Sequence, residues 1–112
     1  FPADAHLREV AVRCCQRANP DIQTFCGRVA SGDQFINSRE KKNWIRDTFD
    51  AYCTEMEGAA IAQAAYLNQI PYLIVRAISD KADDSANVDY SEFEAKAVEH
   101  SVRLMAAMLE EL

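Results

Sequence analysis

Three short segments of the chain carry the side chains best suited to chemistry. They are residues 31–36 (Ser-Gly-Asp-Gln-Phe-Ile), residues 55–58 (Glu-Met-Glu-Gly) and residues 79–80 (Ser-Asp). Together they supply carboxylates, a flat aromatic ring, an apolar thioether and hydroxyl groups. Carboxylates accept hydrogen bonds from paired hydroxyl groups, and an aromatic ring stacks on another planar ring. A site built from these parts suits a small ligand that has a planar ring and neighbouring hydroxyl groups.

Each of these side chains also has an ordinary structural interpretation. Asp80 follows a run of mostly apolar residues, where burial raises the pKa of a carboxyl group, but a loop or cap role explains it equally well. Glu55 and Glu57 stand where a strand meets a helix, and the helix dipole favours acidic side chains there. Phe35 is more commonly a core residue than a stacking platform. Arg76 needs an ion-pair partner if it is buried.

The spacing of apolar and turn-forming residues predicts the elements that position these segments. Four helices and three strands are expected to alternate along the chain. The helices are predicted over residues 4–18, 38–46, 59–68 and 91–112, and the strands over residues 24–30, 51–54 and 72–78. This order is typical of an α/β fold, a layered α/β/α arrangement with a mostly parallel sheet. The carboxyl ends of parallel strands meet at one edge of a sheet, so the three segments are expected to lie together.

Particular residues support two of these elements. Ser38 is a candidate N-cap for the second helix. The buried side of that helix is expected to comprise Trp44, Ile45 and Phe49. Residues 72–78 form a nearly continuous apolar run, which is expected of a strand buried on both faces of a parallel sheet.

Composition and charge narrow the classes of function. With 112 residues, 49% of them hydrophobic, the chain suits a single domain over residues 1–112. A net charge of −6 argues against binding to a nucleic-acid backbone, which requires clustered Lys and Arg. No apolar run approaches the roughly 18 residues of a membrane span. Neither a nucleic acid nor a membrane is therefore an expected partner.

The cysteines and histidines do not form a recognisable site. Cys14, Cys15, Cys26 and Cys53 are expected to be small buried side chains in a reducing cytosol. Their spacing lacks the paired pattern of a zinc or redox site, and the two histidines lie far apart in the sequence. No metal and no cofactor is implied. No secretory signal is recognised at the N-terminus, so a cytoplasmic location is expected.

Three motifs, in this order and spacing, resemble those of the nucleoside phosphorylase and nucleosidase superfamily, and above all its 5′-methylthioadenosine/S-adenosylhomocysteine nucleosidases. The motifs are Ser-Gly-Asp-Gln-Phe-Ile at 31–36, Glu-Met-Glu-Gly-Ala-Ala at 55–60, and Arg-Ala-Ile-Ser-Asp at 76–80, followed by Ala82 and Asp83. The resemblance covers essentially the whole chain but only the C-terminal half of a typical family member. It implies hydrolysis of the N-glycosidic bond of 5′-methylthioadenosine or S-adenosylhomocysteine, with release of adenine.

The resemblance also implies roles for individual residues. Asp80 would be the general acid that protonates N7 of adenine, which requires a carboxyl group that keeps its proton near neutral pH. Ser79 would bind at the same place and orient Asp80. Glu57 would accept hydrogen bonds from the ribose 2′ and 3′ hydroxyl groups, with Met56 packed against the sugar.

The purine is implied to lie against the first motif. Phe35 would stack on the purine ring, and the backbone of Ile36 would contact its edge. Glu55 matches the family motif, but no separate role is implied for it.

Half of the family's site is expected to come from outside this sequence. In the family, the acidic residue that activates the attacking water and several strands belong to the N-terminal half. The chain alone is therefore expected to be a poor catalyst, and to form a homo-oligomer or to pair with a complementing N-terminal half. Two alternatives remain open: a related phosphorylase or aminofutalosine-type hydrolase, and a non-catalytic purine-binding or assembly module.

Overall fold

The computed structural model describes residues 1–79 and 90–112 of the chain. The described residues form four helices and two strands. In chain order these are α1 (Ala5–Ala18), β1 (Arg28–Ser31), α2 (Arg39–Phe49), β2 (Ala51–Glu55), α3 (Gly58–Leu67) and α4 (Tyr90–Glu111). The mixed α/β class predicted from the sequence is confirmed, and each predicted helix is present within a few residues of its expected bounds.

The hydrophobic core lies between the first and last helices. Val10, Ala11 and Cys14 of α1 are buried against Leu104 and Met108 of α4. These residues follow the spacing of three and four that places side chains on one face of a helix. The apolar face of the first helix, predicted from the sequence, therefore forms part of the hydrophobic core.

Helix α1 begins and ends with hydrogen bonds that stop it cleanly. The side chain of Asp4 accepts a hydrogen bond from the amide of Leu7 (2.8 Å), as an N-cap residue does. At the other end the amide of Asn19 donates to the carbonyl of Cys15 (2.8 Å). The buried Asn19 side chain then donates to the carbonyl of His100 in α4 (3.0 Å), which ties the end of α1 to the core.

Strands β1 and β2 are parallel neighbours joined by α2. Val29 pairs with Cys53 and Ser31 pairs with Glu55 in the register. The side chain of Ser38 accepts a hydrogen bond from the amide of Lys41 (3.3 Å), so the predicted N-cap of α2 is confirmed. This strand–helix–strand unit brings the last residues of β1 and β2 to the same edge of the sheet.

The third predicted strand is wrong for the described part of the chain. Residues 72–78 have no strand assignment, and the sheet formed by the described residues contains β1 and β2 alone. Only the beginning of this segment packs, because Leu73 contacts the core and the carbonyl of Tyr72 accepts a hydrogen bond from Asp4 (2.9 Å). Val75 and Ile78 are exposed. A strand requires a hydrogen-bonding neighbour, and neither β1 nor β2 provides one for this apolar run.

Two predictions of burial are also corrected. Trp44 and Phe49 are exposed and pack edge-to-face on each other, with ring centroids 5.8 Å apart, while Ile45 is half-buried. Of the four free thiols, only that of Cys14 is buried; those of Cys15 and Cys53 are half-buried, and that of Cys26, just before β1, is exposed. An apolar residue type predicts burial only where another element covers it.

Helix α4 has a second apolar face that no described element covers. It is formed by Val98, Val102, Met105 and Leu109, which we call the outer stripe of α4. These residues recur every three or four positions on the side away from Leu104 and Met108. In residues 1–79 and 90–112, no helix combines the length and the apolar character needed to cross a membrane.

Candidate functional site

The candidate site lies at the edge where β1 and β2 end. Ser31 is the last residue of β1, Glu55 is the last residue of β2, and the two are direct partners in the parallel register. The Ser31 hydroxyl makes a short hydrogen bond to Oε1 of Glu55. The same hydroxyl accepts a hydrogen bond from the amide of Ala59 in α3 (2.8 Å). The first two predicted segments therefore meet, as expected from parallel strands.

Glu55 holds the turn between β2 and α3. Its Oε2 atom accepts hydrogen bonds from the backbone amides of Glu57 (3.0 Å) and Gly58 (2.7 Å). The residue is buried, with 8% of its surface exposed. Burial raises the pKa of its carboxyl group, but the hydrogen bonds from Ser31, Glu57 and Gly58 and the charge of Arg76 outweigh this and hold the pKa below its usual range. Glu55 is therefore a buried, ionised acceptor.

Arg76, the first residue of the third motif, reaches the same edge of the sheet. Its guanidinium lies 4.0 Å from Oε2 of Glu55 and 3.7 Å from Oε2 of Glu57. The side chain is 43% exposed, so the pairing is loose and partly solvated. Arg76 has ion-pair partners, as expected, but it is exposed rather than buried, and one cation faces both carboxylates of the second motif.

Glu57 and Met56 face solvent at this edge. The side chain of Glu57 is 62% exposed, and that of Met56 is also exposed. Glu57 occupies the N-cap position of α3, but its side chain makes no capping hydrogen bond. Both side chains are accessible to a ligand that approaches the ends of the strands.

The two residues predicted to contact the purine differ in exposure. Phe35 is 58% exposed, so the interpretation of it as a core residue is wrong, whereas Ile36 is buried. Phe35 lines an open groove together with Lys41 and Trp44 of α2. Met56 and Glu57 are not among the residues that line this groove. The described residues therefore place both the sugar-binding and the purine-binding candidates just beyond the ends of β1 and β2, without enclosing them in a common cavity.

The predicted general acid is not among the described residues. Asp80 lies outside them, as do Ala82 and Asp83 of the third motif. Ser79 is the last described residue before them, and it is exposed. The role implied for Asp80 and the orienting role implied for Ser79 stay predictions.

The sequence interpretation missed the part played by Glu55 and Ser31. Glu55 was given no separate role, and no individual role was assigned to Ser31. The strand ends were predicted one residue early, at 30 and 54, so the pairing of Ser31 with Glu55 was not expected. A serine and a glutamate placed at the last positions of two adjacent parallel strands are the signal that could have revealed it.

Comparison with known proteins agrees with this geometry. The family model described as "Phosphorylase superfamily" matches residues 1–111 of the chain. The chain belongs to the phosphorylase superfamily. Ser31 and Glu55 stand at the carboxyl ends of their strands, the edge at which open α/β sheets bind their ligands.

Relatives of this phosphorylase superfamily chain include nucleosidases and a hydrolase. The 5′-methylthioadenosine/S-adenosylhomocysteine nucleosidase of Bacillus cereus is 40% identical over the whole chain, which spans 48% of that protein. The nucleosidase of the same name from Neisseria meningitidis, solved with methylthio-immucillin-A, superposes with a TM-score of 0.88 at 35% identity. The futalosine hydrolase of Helicobacter pylori superposes with a TM-score of 0.88 at 32% identity.

The extent of these matches is as informative as their similarity. The Neisseria and Helicobacter structures cover all of this chain, but the chain covers 48% and 47% of them, respectively. The chain therefore spans about half the length of the relatives that it matches. The layered fold with parallel strands is shared with these solved structures, which confirms the predicted fold class.

Proposed function

We propose that residues 1–112 are the C-terminal half of a purine nucleosidase domain and that they contribute the leaving-group side of its site. The reaction proposed is hydrolysis of the N-glycosidic bond of 5′-methylthioadenosine or S-adenosylhomocysteine. The observation that carries this proposal is the Glu55 network, which presents Met56 and Glu57 at the ends of two parallel strands. This network occurs in a chain that is 40% identical to a protein named 5′-methylthioadenosine/S-adenosylhomocysteine nucleosidase.

Glu57 is proposed to hold the ribose. An exposed carboxylate has two acceptor oxygens, so it can receive hydrogen bonds from the 2′ and 3′ hydroxyl groups together. Met56, exposed beside it, offers an apolar thioether to the face of the sugar. The exposed ring of Phe35 is available for stacking on the purine, and the backbone of Ile36 for contact with the purine edge.

Asp80 is proposed to be the general acid, oriented by Ser79. Its carboxyl proton moves to N7 of the purine while the bond between C1′ and N9 breaks, and the bonding electron pair leaves with the base. Water adds to the oxocarbenium-like C1′ and gives up a proton. Adenine and a thio-sugar are the products, and no metal or cofactor takes part. The base that receives the proton from water is proposed to lie in the part of the family domain that this chain does not span.

The partner proposed for the chain is the remainder of such a domain, or a second copy of the chain. The outer stripe of α4 and the exposed Val75 and Ile78 support this, because apolar surface of this extent is normally covered. A cytoplasmic location is proposed on the basis of the four free thiols, which a reducing compartment preserves.

Replacement of Asp80 tests the proposed function. The sample is this chain mixed with the segment of the Bacillus cereus nucleosidase that it does not span, which we call the complemented enzyme. We expect adenine release from 5′-methylthioadenosine without added phosphate, and a loss on the order of a hundredfold to ten-thousandfold in Asp80→Asn, since a positioned acid contributes about that much. Adenine is measured by chromatography.

Calorimetric titration with adenine accompanies this assay on the chain alone and on the complemented enzyme. Undiminished turnover in Asp80→Asn would refute the role of Asp80, and release that requires phosphate would favour a phosphorylase. Binding of adenine without any release would favour a purine-binding module. Absence of both binding and release would overturn the proposal.

A futalosine hydrolase is a second candidate, because the Helicobacter pylori enzyme of that name superposes over the whole chain. The same sample assayed with futalosine and with 5′-methylthioadenosine in parallel separates the two. The ratio of kcat/KM values decides which substrate class the site prefers.

A further inference from the structure

We infer that Glu55 is a positioning residue, which takes over the capping of α3 so that the carboxylate of Glu57 stays free to hold the ligand's hydroxyl groups. This inference rests on the proposed function, because it assumes that Glu57 contacts the sugar. It assigns a separate task to each of two glutamates that stand two residues apart in one motif.

The capping pattern at α3 is the first argument. An N-cap side chain ordinarily accepts a hydrogen bond from an amide of the first helical turn. Glu57 occupies the N-cap position of α3 but makes no such bond. Instead, Oε2 of Glu55 at the end of β2 accepts hydrogen bonds from the amides of Glu57 and Gly58. The capping task is thus moved from the loop residue to the strand residue.

The second argument is that Glu55 is itself fixed. Its side chain is 3% exposed, and both carboxylate oxygens are occupied, one by Ser31 and the other by the two amides. The Ser31 hydroxyl in turn accepts a hydrogen bond from the amide of Ala59 (2.8 Å). The ends of β1, β2 and α3 are therefore locked to one another through side chains, and the backbone of Glu57 is held between them.

Gly58 supplies the third argument. A Cβ atom added at this position would lie 2.7 Å from Oε1 of Glu55, closer than ordinary contact distance. The backbone of α3 therefore approaches the carboxylate more closely than a residue with a side chain permits. The absence of a side chain at this position leaves room for the carboxylate that accepts the amide of Gly58.

Arg76 pairs with both glutamates, but the two carboxylates differ in their exposure to solvent. The guanidinium faces both carboxylates, at 4.0 Å from Glu55 and 3.7 Å from Glu57. The side chain of Glu55 is 3% exposed, whereas that of Glu57 is 62% exposed. A hydroxyl-bearing ligand can therefore reach Glu57 without displacing the network around Glu55.

Replacement of Glu55 by alanine and by glutamine tests this inference. Glutamine keeps a carbonyl oxygen for the two amides and an NH2 group that can donate to Ser31, whereas alanine leaves the amides without an acceptor. We expect Glu55→Ala to weaken binding of 5′-methylthioadenosine on the order of tenfold, with adenine binding unchanged. Glu55→Gln is expected to retain most of the nucleoside affinity. Binding is measured by calorimetry on the complemented enzyme, with Glu110→Ala in α4 as the control.

Amide hydrogen exchange of Glu57 and Gly58 in the chain alone is the second measurement. We expect faster exchange in Glu55→Ala and near-normal exchange in Glu55→Gln, with the core of α1 and α4 unchanged. Should Glu55→Ala not fold, Ser31→Ala removes the hydrogen bonds that the hydroxyl makes with Glu55 and with the amide of Ala59, leaves the Glu55 carboxylate available to the two amides, and is expected to cause a smaller loss of the same kind.

The outcomes separate the inference from the proposed function. Equal losses of nucleoside and adenine binding, or no loss at all, would overturn the positioning role while leaving the proposed function standing. If the unmodified complemented enzyme binds neither ligand, the proposed function fails. Unaltered exchange at Glu57 and Gly58 in Glu55→Ala would then refute the capping role independently.

Discussion

At the scale of single residues, environment gives Glu55 and Glu57 different properties. Glu55 is enclosed by hydrogen-bond donors and its pKa is held below the usual range, while the side chain of Glu57 stands exposed beside Arg76. The sequence places both in one motif and therefore predicts an acidic site. It cannot tell the two apart, because the difference comes from burial and from hydrogen-bond donors that the fold brings together, among them Ser31, which is 24 positions from Glu55 in the chain.

Gly58→Ala provides a stability test at this scale. We expect destabilisation by about 1–2 kcal/mol, because the added methyl group displaces the Glu55 carboxylate and its hydrogen bonds, a loss that exceeds the gain in helix propensity of roughly 1 kcal/mol. Urea unfolding measures the change. Gly32→Ala is the matched control, since nothing lies within 4 Å of a Cβ added there, and it is expected to be neutral or stabilising by up to about 1 kcal/mol. Equal effects at both glycines would contradict the close approach at Gly58.

At the scale of elements, the helices could be predicted and the third strand could not. Apolar side chains at spacings of three and four predict helices α1 and α4, and the hydrogen bonds of each helical turn join residues that are close in the sequence. A strand depends on a neighbour elsewhere in the chain. Residues 72–78 have the composition of a buried strand, but the described residues supply no paired neighbour, so the prediction failed there.

Leu104→Ala tests the contact between α1 and α4. Leu104 is buried against Val10 and Cys14, and we expect its truncation to cost about 2–5 kcal/mol through lost burial and the cavity left behind. Leu109→Ala, on the outer stripe of the same helix, is expected to change the stability of the isolated chain by less than about 0.5 kcal/mol. Thermal and urea unfolding of both variants decide the point, and comparable losses would show that the core has been placed wrongly.

At the scale of the whole molecule, the described residues carry more apolar surface than the described elements cover. The outer stripe of α4 and the unpaired segment 72–78 belong to a chain that spans about half the length of its relatives. Coverage of these surfaces by a second polypeptide would bury apolar area and provide the neighbour that the third strand requires. Assembly and completion of the site are then the same event.

Leu109→Gln tests this relation between surface and assembly. We expect the unmodified chain to self-associate, or to bind the complementing segment of the Bacillus cereus nucleosidase, and Leu109→Gln to weaken that association on the order of tenfold, since it places a polar amide on a surface to be buried. Light scattering over a range of concentrations measures the assembly. Glu110→Gln, the neighbouring position, is the control. A stable monomer at all concentrations, indifferent to the added segment, would contradict the expectation.

The sequence by itself determined the helices, the fold class and the three segments where chemistry is placed, because these depend on local spacing and on residue types. It also carried the family resemblance that the superfamily match confirmed. The tertiary structure alone decided that Glu55 caps α3, that Arg76 pairs with two carboxylates, and that Phe35, Trp44 and Cys26 are exposed. Burial, hydrogen bonding and charge pairing depend on contacts between residues that are distant in the sequence, and only tertiary packing determines those contacts.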